Sequence, residues 1–373
     1  MSDKSGVRNK LQAGWLILFL LVFVYSGAIA SDQAHDQVIG EEVENRASQA
    51  DFKAGDMILE HISDAYEWHI MDFGDTHVTI PLPVILYDGG EWHVFMSSHF
   101  HHGHDSYRGY FISEHEMNQG KIVRLDEAGQ EVRPTLDISI TKNVTAIFLS
   151  GALLVFVFIS VARAYTRRKG HAPKGFQSFI EPIILFVRDD IAKASIGKNY
   201  EKYTPYLLTI FFFILLNNLM GLIPIFPAGA NVTGNIGVTG VMAFFTFVIT
   251  TINGNKNYWK HIFNTPGVPW WLKLPVPLMP FVELMGMFTK PFVLMVRLFA
   301  NITAGHITIL SFVSLIFIFG QMSAGLGYGV SIVSVGFSIF INFVELLVAL
   351  IQAYVFTLLS ALYFGMATEE AHH

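Results

Sequence analysis

The sequence predicts an all-α membrane protein of about five membrane helices and one amphipathic surface helix, with a small β-rich extracytoplasmic domain ahead of them. Composition is the first reason. Of 373 residues 52% are hydrophobic and only 14% charged, against roughly a quarter charged in an average soluble domain, so most of the chain is expected to be solvated by lipid. The second is that apolar runs of bilayer length recur after residue 140. The third is that the stretch before them is polar and punctuated by turn signals. The net charge of −6 hides a strong asymmetry between segments. Cysteine is absent, which excludes disulfides, thiolate metal sites and cysteine nucleophiles. No basic patch or aromatic-interleaved basic stripe is present, so nucleic acid is not an expected partner.

Residues 1–30 have the build of a signal peptide. Lys4, Arg8 and Lys10 precede an apolar run from Trp15 to Val24, and Ala28-Ile29-Ala30 offers a small-x-small cleavage site. An uncleaved first transmembrane helix is the alternative; either places Ser31 outside the cytoplasm. Residues 31–140 form the predicted extracytoplasmic domain, with a disordered acidic leader. Alternating runs at His77–Leu86 and Trp92–Met96 around Tyr87-Asp88-Gly89-Gly90 read as strands and a turn. Ten of the 15 histidines lie there. His99, His101, His102 and His104, beside Asp105, are weak candidates for a metal site, and a solvated histidine-rich loop is the plainer reading.

The membrane domain is expected over 141–366. Asn143–Ala164 fits one crossing, and Arg163, Arg167, Arg168, Lys169 and Lys174 mark its cytoplasmic end. Over Phe176–Ala194, Phe179, Ile183, Phe186, Val187 and Ile191 recur at helical spacing while Glu181, Arg188, Asp189 and Asp190 take other positions. That pattern predicts an amphipathic helix on the cytoplasmic surface. Crossings follow at Pro205–Ile223 and Ile236–Ile252. The loop between them lacks lysine and arginine, while the next has Lys256, Lys260 and Lys273, so the orientation stays consistent and 367–373 is a cytoplasmic tail. Asn217 and Asn218 are intramembrane polar groups suited to bonding across a helix interface or to transport.

Pro275–Gln321 and Ser331–Met366 give the last two segments, with a turn expected at Gly325-Leu326-Gly327-Tyr328-Gly329. A helix of about 45 residues spans about 67 Å, more than twice the roughly 30 Å of hydrocarbon. Tilts up to about 40° do not absorb that excess. The pair is therefore expected to be steeply tilted or broken, with Pro280 and Pro291 as bends, in a near-horizontal hairpin.

From Val276 to Met366 the formal charges are Glu283, Lys290, Arg297 and Glu345. An arginine at mid-membrane costs roughly 2.5–3.5 kcal/mol or more and stays charged. At about 100° per residue, Glu283, Lys290, Arg297 and Asn301 fall on one stripe, continued by Ala304 and Thr308. Such a face suits a closely apposed partner, not lipid. His306 is nine residues past Arg297 and so faces the opposite way, towards Glu345, Gln352 and Asn342 of the last helix. A buried histidine beside a buried carboxylate suits a proton relay, or a structural ion pair.

Arg297-Leu298-Phe299-Ala300-Asn301 followed by Ala304-Gly305-His306 resembles the signature of subunit a of the rotary F-type ATP synthase. Asn218-Leu219-Met220-Gly221-Leu222-Ile223-Pro224, Glu283, Lys290-Pro291 and Gln352-Ala353-Tyr354-Val355-Phe356 match in the same order. The resemblance covers Lys142 to Met366 and implies a non-catalytic proton-channel stator in a bacterial inner membrane, partnered by the c-subunit ring and the b-subunit stalk, with no cofactor. It implies that Arg297 faces the ring carboxylates. Asn301, His306 and Glu345 would line the half-channel open to the outside, with Asn218 on the proton path. Gln352 would sit near Arg297, and Glu283 with Tyr363 would serve the cytoplasmic exit. Two departures stand out: Ala300 replaces a common glycine, and His306 and Glu345 exchange the identities found in many bacterial members. An anion transporter, and a membrane-anchored metal-binding protein built on the histidine-rich domain, are the alternatives. The first would be expected to show inverted repeats, and the signature occurs once.

Overall fold

The computed structural model describes residues 54–369 apart from 74–75, 104, 116, 168–170, 224–225 and 265–277. The expected signal peptide lies outside the described residues. Among the described residues α1 (Ala54–Ile62) comes first, followed by eight short strands: β1 (Glu67–Phe73), β2 (Thr76–Pro81), β3 (Pro83–Asp88), β4 (Glu91–Met96), β5 (Tyr110–Ile112), β6 (Ile122–Leu125), β7 (Glu131–Val132) and β8 (Leu136–Asp137). They make a β1-β2 hairpin and two antiparallel three-stranded sheets, ordered β4-β3-β8 and β5-β6-β7. The expected turn joins β3 to β4 through Gly89 and Gly90, with Asp88 opposite Glu91. The alternation in β3 buries Val84, Leu86 and Asp88. Val84 and Leu86 pack with Phe95, Phe100, Tyr110 and Ile122 as the core of this unit.

Asp88 is the one carboxylate on that inward face, and it is enclosed by donors. Arg124 Nε lies 2.6 Å away, Tyr110 Oη 3.1 Å, and the Thr135 amide and hydroxyl at 3.3 and 3.1 Å. Burial alone would raise its pKa. The bonds from Arg124, Thr135 and Tyr110 outweigh burial and hold it below the usual carboxylate range.

The helical part follows without a linker. The Asp64 carboxylate accepts from the Asn143 amide and the Thr141 hydroxyl, and Ala65 O accepts from the Lys142 amide. These bonds satisfy donors that the first turn of α2 (Lys142–Arg167) leaves without intrahelical partners, and they fix the β-rich unit to the helix. Trp68 and Ile80 pack on Ala146, Ala230 and Val232, so the unit also rests on the loop between the next two long helices.

The predicted surface helix is α3 (Phe176–Leu185), a π-helical stretch (Phe186–Lys193) and α4 (Ala194–Ile196). Val187 and Ile191 are fully buried, Phe179, Ile183 and Phe186 pack partly against the core, and Arg188, Asp189 and Asp190 stay exposed. Next come α5 (Tyr200–Gly221), α6 (Ile236–Ile252), α7 (Lys256–Phe263), α8 (Leu278–Met322) and α9 (Ala324–Thr368). Among the described residues four helical stretches are long and apolar enough to cross a membrane: α2, Phe176–Gly221, α8 and α9. The α6 and α7 pair, bent by 102°, makes a fifth.

Two expectations need correction. The glycine-rich run at 325–329 is not the hairpin turn; it lies inside α9, and Ser323 alone separates two 45-residue helices. The reason is close packing: a Cβ on Gly327 would stand 2.8 Å from the Gly320 Cα, so the glycine lets the helices meet just past the turn. Nor do Pro280 and Pro291 break α8, which runs through both. A proline removes one backbone bond, and packing along α9 holds the helix on either side of it. A third feature is new: the short helix α1 stands ahead of the strands, where the sequence predicts only an acidic leader without a stated end.

Candidate functional site

The site is built on α8 and α9. Along the predicted stripe of α8, Lys290, Arg297, Asn301 and Ala304 are exposed and Glu283 is partly so. The neighbouring Leu294 and Leu298 are buried against the helical core. Arg297 therefore points away from its own chain, and among the described residues no carboxylate pairs with it.

His306 turns the other way, as the spacing requires. Its Nδ1 lies 3.0 Å from Glu345 Oε1, with the side chains 18% and 7% exposed. The ring also meets backbone at Gly221 and Ile302. Gly305 makes this pairing possible, because a Cβ there would overlap the Glu345 carboxylate. Sequence reasoning quoted Gly305 as part of a motif; its role becomes visible only when the two helices are placed together.

Asn218 completes one wall. Its Oδ1 accepts from the Thr233 hydroxyl at 2.6 Å and its Nδ2 donates to Ala349 O at 3.2 Å. The bonding role across an interface, weighed from the sequence, is the one this side chain adopts. Asn217 instead donates to Phe213 O one turn back in its own helix. Asn218, Asn301, Thr308, His306 and Glu345 all line one cleft of about 180 Å³, shared with Ile341, Val344 and Val348. The structure thus brings four of the sequence candidates together: Asn218, Asn301, His306 and Glu345.

The others lie apart. A second, water-sized cavity of about 10 Å³ is lined by Lys290, Pro291, Tyr363, Thr246, Thr250 and Tyr258. Lys290 Nζ sits 5.7 Å from the centre of the Tyr363 ring, a cation–π arrangement. Glu283 lies 3.9 Å from His261 Nδ1 on α7 and outside that lining. Gln352 is buried on α9 and lines neither cavity. Along the α8 axis Arg297 stands about 9 Å from Pro291 and about 6 Å from Asn301, so it separates the two spaces. Thr246, Thr250 and Tyr258 escaped the sequence reading, although threonines one turn apart in an apolar helix were a usable signal.

The histidine cluster is distributed differently. His99 stacks on Tyr107 with ring centres 4.1 Å apart, and His101 Nδ1 lies 2.7 Å from Asp105 Oδ2. The side chains of His102 and His104 lie outside the described residues. Among the described residues no three histidine, aspartate or glutamate side chains converge as metal ligands.

A family model described as ATP synthase A chain matches residues 144–365, well over half the chain. The chain belongs to the ATP synthase subunit a family. Its relatives extend beyond that core. ATP synthase subunit a 2 of Prosthecochloris aestuarii is 37% identical over 99% of this chain and 96% of its own length. ATP synthase subunit a 2 of Chlorobaculum tepidum is 40% identical over 88% and 77% respectively. ATP synthase subunit a of Myxococcus xanthus is 38% identical over 81% and 92%. Residues 57–144, which hold most of α1 and the β-rich unit, match a domain of unknown function. Membership of this family and the apolar helices make the chain a multi-pass membrane protein.

Proposed function

We propose that this chain is the proton-channel stator of an F-type ATP synthase, with Arg297 as the fixed charge against which the carboxylates of a c-subunit ring turn. The observation that carries this reading is the setting of Arg297. It is exposed in the middle of an apolar 45-residue helix, lacks a carboxylate partner among the described residues and lies between two separate cavities. A guanidinium cannot escape its cost by deprotonation, so this setting suits a carboxylate partner supplied by a neighbouring subunit.

In this mechanism the cleft at Asn218, Asn301, His306 and Glu345 is the half-channel open to the outside. A proton arriving on the His306–Glu345 pair passes to a ring carboxylate near Asn301. A carboxylate drawn towards Arg297 loses its proton, because the neighbouring positive charge favours the ionised form. That proton leaves by the cavity at Lys290 and Tyr363, with Glu283 beyond it on the cytoplasmic side. Arg297 also blocks a direct leak, since a proton crossing between the cavities would have to pass a fixed cation. Gln352, buried on α9, would sit near Arg297, as in the family this chain resembles. The complex sits in a bacterial inner membrane with the β-rich unit outside and the C-terminus in the cytoplasm, and the b-subunit stalk anchors it.

Arg297→Ala tests the reading in membranes carrying the assembled complex. ATP synthesis driven by a proton gradient should vanish while the subunit remains in the complex; synthesis at the wild-type rate overturns the mechanism.

A further inference from the structure

Helix α1 lies against α8, one turn beyond the His306–Glu345 pair. Ile58 forms a buried cluster with Ile309 and Leu310, and Ile62, Ile307 and Ile341 pack partly buried against it. Ile341 also lines the cleft, as does Thr308 between Ile307 and Ile309. The short helix therefore borders the cleft itself. Its position is fixed from behind, because Asp64 and Ala65, just past its end, bond the first turn of α2, and Lys142 Nζ reaches His61 O at 3.5 Å. His61 sits between the two anchoring isoleucines in sequence and is exposed to solvent, and His306 is one of the groups whose charge acts on it.

We propose that α1 forms the outer rim of the proton cleft and that His61 passes protons between outside water and the His306–Glu345 pair. This rests on the reading of the cleft as the outer half-channel, and it gives the domain of unknown function a part in transport. The facing groups are Lys142 on α2, His69 on β1 and His306 on α8. Protein crowds the ring although solvent still reaches its edge; that partial desolvation, then Lys142, His69 and His306, lowers the His61 pKa to about 4 and favours the neutral form at working pH. A neutral imidazole relays without holding charge: it takes a proton at one ring nitrogen, releases the proton of the other towards the cleft and adds no fixed cation to the path.

The test uses the whole synthase complex in liposomes, with synthesis driven by a potassium potential and variants matched for assembled subunit. His61→Ala should slow synthesis by roughly tenfold, less than the loss of a positioned acid–base group in a dry site because water also reaches the rim. Free imidazole at equal concentration on both sides should restore it. A His61→Ala complex running at the wild-type rate overturns the relay, and so does one that is slowed but not restored by imidazole. Arg297→Ala, run in parallel, separates the two ideas. Synthesis that survives Arg297→Ala defeats the stator reading, whereas an inactive Arg297→Ala beside an unaffected His61→Ala defeats only the relay.

Discussion

Asp88 and Arg297 are both charges placed where water is scarce, and the fold treats them in opposite ways. Asp88 is closed in by a guanidinium, a phenol and a threonine from three other parts of the β-rich unit. Arg297 is presented outwards on an apolar helix, with no carboxylate beside it among the described residues. A satisfied buried charge fixes geometry, while an unsatisfied one implies a partner still to arrive. The His306–Glu345 pair stands between these extremes, being satisfied internally yet bordering an open cleft.

Substitutions separate the three kinds of charge. After the complete loss expected for Arg297→Ala, the next largest effect is expected for Glu345→Gln. It leaves the shape of the cleft but removes the titrating partner of His306, and synthesis should fall by roughly two orders of magnitude or more with assembly intact. Unchanged synthesis would make the pair a structural tie. Gly305→Ala approaches the same site sterically. The added methyl should swing the Glu345 carboxylate away from His306, and proton-driven synthesis should drop by about tenfold or more without a change in charge. An unaffected rate would mean that the pairing distance does not matter.

The smallest effect on transport is expected from Asp88→Ala, although its local cost is clear. Removing the acceptor strands Arg124, Tyr110 and Thr135, and the β-rich unit should lose about 2 kcal/mol. Hydrogen exchange at Tyr110 and Arg124 reads this directly. The wild-type protein carries the corresponding pH signature. The Asp88 pKa is lowered in the fold, so its stabilisation is complete above the unfolded value of about 4 and drains away as pH falls towards the folded one. Exchange in these strands should therefore quicken below about pH 4. A flat profile would show that Asp88 does not hold the unit together.

Much of this arrangement was legible in the chain. Bilayer-length apolar runs located the membrane helices to within a few residues, since lipid tolerates few alternatives to a continuous helix. The 100° step placed Arg297 and His306 on opposite faces, and the structure keeps them there. Glycine was the ambiguous letter. At 325–329 it read as a turn, whereas Gly327 serves close approach between helices, and no local pattern distinguishes the two uses. Pro291 read as a place where the helix could break, yet the helix continues through it. Helix α1 is too short to announce itself by periodicity, and its anchors Ile309 and Leu310 lie about 250 residues further on. The cleft is likewise a product of long-range pairing, since Asn218 reaches it from α5 while His306 and Glu345 come from two other helices.

The bracing of α8 has a mechanical consequence. Near one end Ile58 of α1 grips it at Ile309 and Leu310, and near the other His261 of α7 approaches Glu283. The first brace is a short helix ahead of the membrane spans, and the second lies past the bend of the α6–α7 pair. A helix that meets a turning partner is pushed sideways with every step, and a bilayer, being fluid in its plane, offers no lasting resistance to that thrust. If a ring turns against Arg297 as proposed, two supports set on either side of it would let the load run into the β-rich unit and into the α6–α7 elbow, and the bearing surface would hold its line while the partner moves past it.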